Sequence, residues 1–356
     1  MVWSRDTDCL ENKMTILLKS SARAGSSTAR SIFVSGSDVY VAGYERIGTR
    51  KATLWKNDDA PIRLADAKAI HSSANSVFVS GADVYVAGYE NFGDADLATL
   101  WKNNDAPIRL IDTGAKYSNA SSIFLAGSDV YVAGSQKVGD TIVSTLWVNG
   151  MANHLKLSRK AIASLANSVF VSGSDVYVVG SEFFSKPDDG KATVWKNGEA
   201  PFHLPSVKSK DSSANSVFVS GKDVYVAGWA RDEYGYRAMV WLNGVEKYIN
   251  IDDAEGYSQA NSIFVSGRDV YVAGVDENRY DYTAALWKNK KAALHPAPKD
   301  RDYSSAYSVF VSGDCIYLAG DEHVGGEIPP STPIPFAALW KIKKADSRTR
   351  GKTANR

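Results

Sequence analysis

The stretch SIFVSGSDVYVAG at residues 31–43 returns six more times along this chain with few changes. The copies begin at residues 76, 122, 168, 216, 262 and 308, so the repeat is 45 to 48 residues long. Each copy holds two short runs rich in Val, Ile, Phe and Tyr around a Gly-X pair such as Gly36-Ser37. Branched and aromatic residues favour strands, and Gly supplies the positive φ of a two-residue hairpin turn. The stretch therefore predicts a β-hairpin that recurs seven times.

Two more short strands are predicted in each repeat. A segment like ATLWKN at 52–57 follows a variable stretch, and a segment like PIRL at 61–64 follows an Asn-rich turn. Four strands in a unit of about 46 residues are typical of a β-propeller blade, whereas helical repeats of that length need two long stretches with a 3.6-residue period. The sequence shows no such helical stretches, so it predicts an all-β, seven-bladed β-propeller with four-stranded blades.

The closure of the ring can also be predicted, with the strands of a blade called a, b, c and d in chain order. The last repeat supplies strands a, b and c at 308–312, 315–320 and 336–341, but no strand d. An unassigned apolar strand, Met14 to Leu18, precedes the first strand a. We expect this N-terminal strand to complete the last blade in a three-plus-one arrangement, because that removes an exposed sheet edge.

The predicted organisation has three parts. Residues 1–13 form an N-terminal extension, residues 14–341 form a single propeller, and residues 342–356 form a basic tail that we expect to be disordered. The net charge is +1 for the whole chain, −5 for residues 1–340 and +6 for the last 16 residues.

Composition excludes several function classes. The folded part has no basic field, so we expect no nucleic-acid partner. No apolar run is long enough to span a membrane. The two cysteines, Cys9 and Cys315, are too few for a disulfide scaffold or a cysteine metal site, and we expect a monomer without metal or cofactor. The N-terminus lacks a signal-peptide pattern, which predicts a cytoplasmic protein for the chain as given, and an exported or cell-surface one if the true start lies upstream.

The repeat as a whole resembles a known group. The combination of LWKN with ANSVFVSGxDVYVAG is similar to repeats of bacterial propeller proteins, which are often exported or surface-attached and mostly of unassigned function. The a–b core also resembles the Tyr-Val-rich repeats of surface-layer propellers. The resemblance covers roughly residues 14–341 and implies the propeller fold and a bacterial source. It implies no catalytic residue, because the shared motif serves packing and turns.

Residues that recur in every blade are interpreted as scaffold, because one active site has no use for seven copies. Tyr40 and Trp55, with their equivalents, are predicted to pack between blades. Asp38 and its equivalents follow the Gly-X turn and are expected to accept backbone N–H bonds there. Asn precedes the predicted strand a in four repeats and is expected to make a local hydrogen bond that fixes the entry loop; these residues are Asn75, Asn167, Asn215 and Asn261.

Function is expected where the repeats differ. In this strand order the b–c and d–a loops share one face, here called the loop face, and the tight a–b and c–d turns share the other. The b–c loops vary most and carry aromatic residues, which suits a binding surface. The alternative is that each ring packs onto its own loop. Residues that break the sevenfold pattern at the channel mouth are added to the candidate set. The candidate binding residues are Arg30, Tyr44, Tyr89, Ser121, Phe183, Phe184, Trp229, Tyr234, Tyr236, Tyr280, Tyr282 and Tyr307.

No catalytic motif accompanies these residues. The sequence has no G-x-S-x-G, no H-E-x-x-H and no Gly-rich phosphate loop, and its five histidines are scattered. We therefore hypothesise a non-enzymatic binding or scaffold propeller that engages a protein or glycan through the loop face. One alternative is a polysaccharide hydrolase or lyase, which requires acidic or basic groups with shifted pKa values at the channel mouth. Another is a purely structural surface protein.

Overall fold

The computed structural model shows an all-β protein, with no helix among the residues it describes. It describes residues 10–344 apart from 23, 104, 112–114, 116, 186–188, 207, 208, 210, 234, 249–256, 279, 280, 290–293, 299–302 and 325–333. Cys9 and the predicted N-terminal extension up to residue 9 lie outside this part, as does the tail from residue 345.

The chain forms strands of two to eleven residues. In order they are β1 (Leu10–Leu17), β2 (Ser26–Ser35), β3 (Asp38–Ile47), β4 (Thr49–Lys56), β5 (Ile62–Arg63), β6 (His71–Ser80), β7 (Asp83–Asn91), β8 (Asp96–Lys102), β9 (Ile108–Arg109), β10 (Ser118–Ala126), β11 (Asp129–Val138), β12 (Thr141–Val148), β13 (Met151–His154), β14 (Ala163–Ser172), β15 (Asp175–Phe183), β16 (Lys191–Lys196), β17 (Phe202–His203), β18 (Asp211–Ser220), β19 (Asp223–Asp232), β20 (Gly235–Leu242), β21 (Val245–Tyr248), β22 (Ser258–Ser266), β23 (Asp269–Asn278), β24 (Asp281–Lys288), β25 (Tyr303–Ser312), β26 (Cys315–Val324) and β27 (Ile334–Lys344).

These strands make seven antiparallel sheets, which are the seven blades of a β-propeller. Blades 1 to 5 are four consecutive strands each, from β2–β5 to β18–β21. In blade 6, β22–β24 are joined at the outer edge by a bridge between Leu286 and Leu294. Strands a of neighbouring blades contact one another in a closed cycle, so they line the central axis. The predicted fold class is confirmed.

Blade 7 confirms the predicted closure. Its strand order is β1-β27-β26-β25, so the N-terminal strand occupies the place of strand d. The antiparallel register runs from Leu10 opposite Lys344 to Leu17 opposite Ala338. The strand thus begins four residues before the predicted Met14, and the next residue, Leu18, is buried in the core between blades 7 and 1.

Every strand a contains a β-bulge opposite a glycine of strand b. In blade 1 the register shifts between Ala29 and Ser31, so Arg30 is the inserted residue. Gly43 lies opposite the bulge, and a Cβ there would come within 2.0 Å of the carbonyl oxygen of Thr28. Only glycine permits this close approach. The second glycine of the repeat is therefore required by the bulge in strand a.

The core lies between the blades. The seven tryptophans of strand c have at most 2% of their surface exposed, which confirms the prediction that they pack as scaffold. Each cluster joins two neighbouring sheets: Tyr40 and Leu54 of blade 1, for example, pack against Val77 and Trp101 of blade 2. Truncating a buried aromatic residue of this size typically costs about 3–5 kcal/mol.

Hydrogen bonds from serine side chains join every pair of neighbouring blades. The serine after each bulge accepts the backbone N–H of an apolar residue in strand a of an adjacent blade, at 3.1–3.3 Å. The N–H and hydroxyl pairs are Ile32–Ser308, Val77–Ser31, Ile123–Ser76, Val169–Ser122, Val217–Ser168, Ile263–Ser216 and Val309–Ser262.

A second, buried serine near the start of each strand a accepts a backbone N–H from strand c of an adjacent blade, at 2.8–3.0 Å. In blade 2 this serine is Ser72, which accepts from Ala52 of blade 1. Because buried N–H groups must be paired, both serine sets help to fix the spacing between blades.

Seven phenylalanines form a closed ring on the strands that line the axis. Neighbouring ring centroids are 4.6–5.2 Å apart around the whole circuit, a spacing at which aromatic rings attract one another. The members are Phe33, Phe78, Phe124, Phe170, Phe218, Phe264 and Phe310.

Two expectations about recurring polar residues are wrong in detail. The Asn residues lie at the bulge inside strand a, and their amides reach across to the next blade: Asn75 Nδ2 donates to the Ala120 carbonyl oxygen at 2.8 Å, and Asn167, Asn215 and Asn261 do the same. These bonds join blades, because the bulge turns the inserted side chain toward the neighbouring sheet. Asn75 and Asn215 also accept a local hydrogen bond, from the serine hydroxyl two residues before, at 3.1 and 3.2 Å.

The second correction concerns the Asp after the Gly-X turn. Asp38 accepts hydrogen bonds from the Asn57 amide at 3.0 Å and from Tyr40, and it pairs with Lys56 at 2.9 Å. The backbone N–H of Val39 is instead satisfied by Asn57 Oδ1. Asn57 adopts φ of 51°, which brings its side chain back over the a–b turn. The Asp is therefore scaffold, as expected, but through side-chain partners.

Candidate binding surface on the loop face

The aromatic candidates sit on strands more than on loops. Strands b and c continue to pair well beyond the predicted boundaries, to Asp232 opposite Gly235 in blade 5 and Asn278 opposite Asp281 in blade 6. Trp229, Tyr236 and Tyr282 lie within these paired segments. The expectation that they occupy variable loops is corrected, because hydrogen-bonded strands hold their rings on a rigid support.

Six rings make a continuous chain of contacts on this face, here called the aromatic arc. Successive centroids are 4.8, 5.3, 5.2, 6.0 and 5.9 Å apart. In order, the members are Trp229, Tyr236, Tyr257, Tyr282, Tyr303 and His323. The arc crosses from blade 5 through blade 6 to blade 7, because strand c of one blade packs beside strand a of the next.

The arc remains accessible to solvent. Tyr282 and Tyr303 are among the exposed large side chains, with 37% and 38% of their surface exposed, and the other members are partly buried. The Arg231 guanidinium lies over the Tyr236 ring, 5.7 Å from its centroid. Partly exposed rings in mutual contact provide a preformed apolar surface that loses little entropy on binding.

A polar group lies where blade 7 meets blade 1 and is here called the seam cluster: Thr28, Arg30, Tyr44, Tyr307 and Asp321. Asp321 Oδ2 accepts hydrogen bonds from Thr28 Oγ1 at 3.1 Å and from Tyr307 OH at 3.4 Å. Thr28 Oγ1 is also 3.2 Å from the Tyr44 hydroxyl. The Arg30 guanidinium lies 5.6 Å from the Tyr44 ring centroid. The structure thus joins three candidates, Arg30, Tyr44 and Tyr307, around one carboxylate.

Burial is the largest influence on the pKa values of the titratable groups in and beside the seam cluster. Asp321 is only 4% exposed, and burial raises the pKa of its carboxyl to about 6, although hydrogen bonds from Thr28 and Tyr307 and the charge of Arg30 oppose this. Burial likewise raises the pKa of Tyr307 well above its usual value and lowers the pKa of His323. Near neutral pH the cluster therefore holds a buried carboxylate that is close to its titration point.

A different set of carboxylates holds the d–a connections in place. These lie two residues after the strand-b glycine, one residue beyond the position of Asp321. Glu182 accepts hydrogen bonds from the backbone N–H and hydroxyl of Ser158 at 2.7 and 2.6 Å, and its Oε2 is 2.6 Å from His203 Nε2. Burial alone would raise the pKa of Glu182, but the bonds from His203 and Ser158 outweigh it and lower that pKa. Such a carboxylate holds a connection in place and is not available to a ligand.

The remaining sequence candidates lie apart from the arc. Phe184 contacts His203 of its own blade at 5.6 Å and carries Lys191 over its face. Tyr89 contacts His71 at 6.3 Å in blade 2. Phe183 pairs with strand a of blade 4 and Ser121 is the bulge residue of blade 3. Tyr234 and Tyr280 lie outside the described residues.

Sequence reasoning missed Tyr257, Tyr303, His323, Thr28 and Asp321. A signal for some of them exists in the repeat itself. Tyr257 and Tyr303 each stand four residues before the bulge, and Asp321 directly follows the strand-b glycine. The residues directly after the strand-b glycine in the other blades are Tyr44, Tyr89, Ser135, Ser181, Trp229 and Val275. Comparing each position across all seven copies would have singled out the one acidic residue.

Within the described ranges, no three His, Cys, Asp or Glu side chains are arranged to hold a metal ion. In the same part of the chain, no helix is long and apolar enough to cross a membrane.

Comparisons with known proteins show a similarity of fold and do not identify a family. No protein-family model matches the chain, and no curated protein sequence matches it. The resemblance to bacterial propeller repeats therefore stays a prediction.

Solved structures with similar folds do exist. An acylaminoacyl peptidase from Pyrococcus horikoshii aligns over 92% of this chain and 54% of its own, with 13% identity and a TM-score of 0.52; the chain thus spans about half the length of that enzyme. The extracellular domains 1–2 of Drosophila semaphorin 1a align over 89% of this chain and 86% of their own, with 8% identity and a TM-score of 0.52. A GH32 β-fructofuranosidase from Bombyx mori aligns over 90% and 88%, with 8% identity and a TM-score of 0.40. At such identities the first two similarities concern architecture alone, and the third, with a TM-score under 0.5, adds nothing to them.

Proposed function

We propose that this protein is a non-enzymatic binding propeller whose ligand lies against the aromatic arc on the loop face. The observation that carries the proposal is the unbroken contact of six rings from three blades at 4.8–6.0 Å. Apart from the phenylalanine ring around the axis, blades 1 to 4 carry only isolated ring pairs among their described residues, such as His71–Tyr89 and Phe184–His203, so the fold does not require an arc of this kind.

Rigidity supports the same proposal. The arc residues lie on or directly beside paired strands, and the strands are fixed by interblade hydrogen bonds such as the one from Ala284 N–H to Ser304 Oγ at 2.8 Å. Aromatic side chains dominate the energetics of many interfaces because they bring large area with few rotatable bonds. A surface of this kind binds without first having to order itself.

The proposal is tested by comparing ligand binding with and without the arc. The full chain is screened against an oligosaccharide panel and a displayed-peptide library, and every ligand found is titrated against the Tyr236→Ala/Tyr282→Ala double variant. We expect at least a tenfold loss of affinity, since truncating central aromatic anchors typically costs about 2 kcal/mol or more. Phe202→Ala is the matched control, because Phe202 is an exposed ring, 56% exposed, on the outer strand β17. Undiminished binding by the double variant would show that the aromatic arc is not the binding surface.

A second candidate function has one observation in its favour. The polysaccharide-enzyme hypothesis requires a group of shifted pKa at the channel mouth. Asp321 is a buried carboxyl with a raised pKa beside Tyr307, on strand b of blade 7, which pairs with the strand a that lines the axis. A carboxyl of this kind can act as a general acid. Release of reducing ends or of unsaturated sugars from a polysaccharide, lost in Asp321→Asn, would favour this function; binding without turnover by the wild-type chain favours the first.

A further inference from the structure

The aromatic arc leads directly to the seam cluster. Its last member, His323, lies on β26 two residues beyond Asp321, with Nε2 3.9 Å from Asp321 Oδ1. Tyr303 stands opposite His323 in the same blade, and Ser305 stands opposite Asp321. The aromatic arc therefore ends beside the seam cluster, in which the Asp321 carboxylate lies beneath the surface with 4% of its area exposed.

One oxygen of the carboxylate is unsatisfied. Asp321 Oδ2 has two donors, whereas Oδ1 is buried and has no hydrogen-bond partner within the described residues. The 3.9 Å to His323 is too long for a hydrogen bond. A buried acceptor without a donor typically costs about 1–3 kcal/mol, and more when it is charged. Such a group in a native fold needs an explanation, and a donor that a ligand brings once the side chains over the carboxylate move is one.

The aromatic arc and the Asp321 carboxylate each require a different chemical group of the ligand. The rings favour a partner with flat apolar faces, and the free carboxylate oxygen requires a hydroxyl or amine hydrogen, delivered directly or through one ordered water. Residues 1–340 carry a net charge of −5, which disfavours a polyanion. Sugars unite C–H faces with hydroxyl donors in a single ring.

We infer that the ligand of the aromatic arc is a neutral oligosaccharide, with its sugar rings lying along Tyr236, Tyr257, Tyr282 and Tyr303 and the hydroxyls of one sugar bound at Asp321. This inference rests on the proposed binding function and adds the class of ligand to it. Arg30 borders the carboxylate and, as an exposed guanidinium, donates to the oxygens of the same sugar.

The experiment is a calorimetric titration of the full chain with neutral gluco-, xylo-, manno- and chito-oligosaccharides, from disaccharides to hexasaccharides. Affinity should rise with length, because each added sugar meets a further ring. Tyr282→Ala and Asp321→Asn should each lower affinity about tenfold, while Tyr282→Phe, which keeps the ring, should bind nearly as wild type. Phe202→Ala and Asp140→Asn are the matched controls, and Asp140 is fully exposed in the b–c turn of blade 3. Thermal unfolding of each variant confirms that it is folded.

Each contrary result has a distinct meaning. If no neutral oligosaccharide binds but library peptides do, and Tyr282→Ala weakens those peptides, the sugar assignment is wrong and the proposed function stands. Tighter binding of sulfated or uronic polysaccharides than of neutral ones likewise overturns the neutral class. Oligosaccharide binding that survives both Tyr282→Ala and Asp321→Asn overturns the inference and the proposed function together, as does a failure of both ligand classes to bind.

Discussion

The backbone N–H of Ile32 donates a 3.2 Å hydrogen bond to the hydroxyl of Ser308, across 276 positions of sequence. The same bond, at nearly the same length, joins every other pair of neighbouring blades, for instance Val309 N–H to Ser262 Oγ at 3.2 Å. The junction between the two ends of the chain is therefore built like the six covalently continuous junctions. The ring is closed by repetition of one contact.

Removing this bond should destabilise the propeller by about 1–2 kcal/mol, because Ser308→Ala leaves the Ile32 N–H without its acceptor. Denaturant unfolding followed by tryptophan fluorescence measures the change. Ser262→Ala is the matched variant at an internal junction and should lose a similar amount. An effect at Ser262 with none at Ser308 would show that the closing junction does not use this bond.

The N-terminal strand should matter far more than the end of the chain. Deleting residues 1–20 removes β1, its hydrogen bonds to β27 and the buried Leu18, and leaves the edge of β27 unpaired. We expect a large fall in the unfolding midpoint and a tendency to associate. Deleting residues 345–356, which follow the last described strand, should change the midpoint little. Equal effects of the two deletions would contradict the three-plus-one closure.

The pH dependence of stability should report the buried charge of Asp321. Its pKa is raised to about 6 from 3.8, so the folded state binds this proton more tightly, and stability falls as pH rises from about 4 through 6. Asp321→Asn cannot ionise and should be more stable than wild type at pH 7.5, by up to about 3 kcal/mol. The neighbouring titratable groups are Arg30, His323 and Tyr307, of which Tyr307 stays neutral over this range because burial raises its pKa.

The measurement is the denaturant midpoint of wild type and Asp321→Asn at pH 4 and pH 7.5, with Asp140→Asn as the exposed control. The two proteins should converge at the lower pH. A variant that is less stable than wild type at pH 7.5 would show that the carboxylate serves the fold, and its assignment to the ligand would lose this support.

Glu182 should respond to pH in the opposite direction. Its pKa is lowered below 4.5 by the bonds from His203 and Ser158, so its contribution is present above that value and disappears as pH falls through the lowered pKa. Glu182→Gln should lose about 1–3 kcal/mol at pH 7 and match wild type in acid. Glu199→Gln, at an exposed glutamate of the same blade, serves as control. A loss that persists unchanged in acid would contradict the charged role of Glu182.

The fold was predictable because each residue that the blade structure requires recurs in all seven repeats. Gly36 and its equivalents close the same turn with φ of 55–62°, and each Trp fills the same interblade space, so a pattern in one blade is confirmed by six others. The interblade contacts of Asn75 and Ser31 were not predictable in the same way. Asn and Ser bond readily to their own backbone, and the partner in the next blade is brought near only when the sheets pack.

The candidate site was predictable in part, for the same reason. Trp229, Tyr236 and Tyr282 stand out as aromatic residues in a polar stretch. Their contact with Tyr257 and Tyr303 arises because strand c of one blade meets strand a of the next, which is a property of blade packing. The sequence identifies the aromatic residues, and the packing of neighbouring blades decides which of them come into contact.

The most direct measurement is a crystal structure of the protein bound to the tightest ligand of the oligosaccharide series. We predict sugar rings against Tyr282 and Tyr303, and a sugar hydroxyl or bridging water within hydrogen-bond distance of Asp321 Oδ1. A ligand held on the tight-turn face beside Asp38 and Lys56, or along the outer strands near Phe202, with the aromatic arc in contact only with solvent, would contradict it.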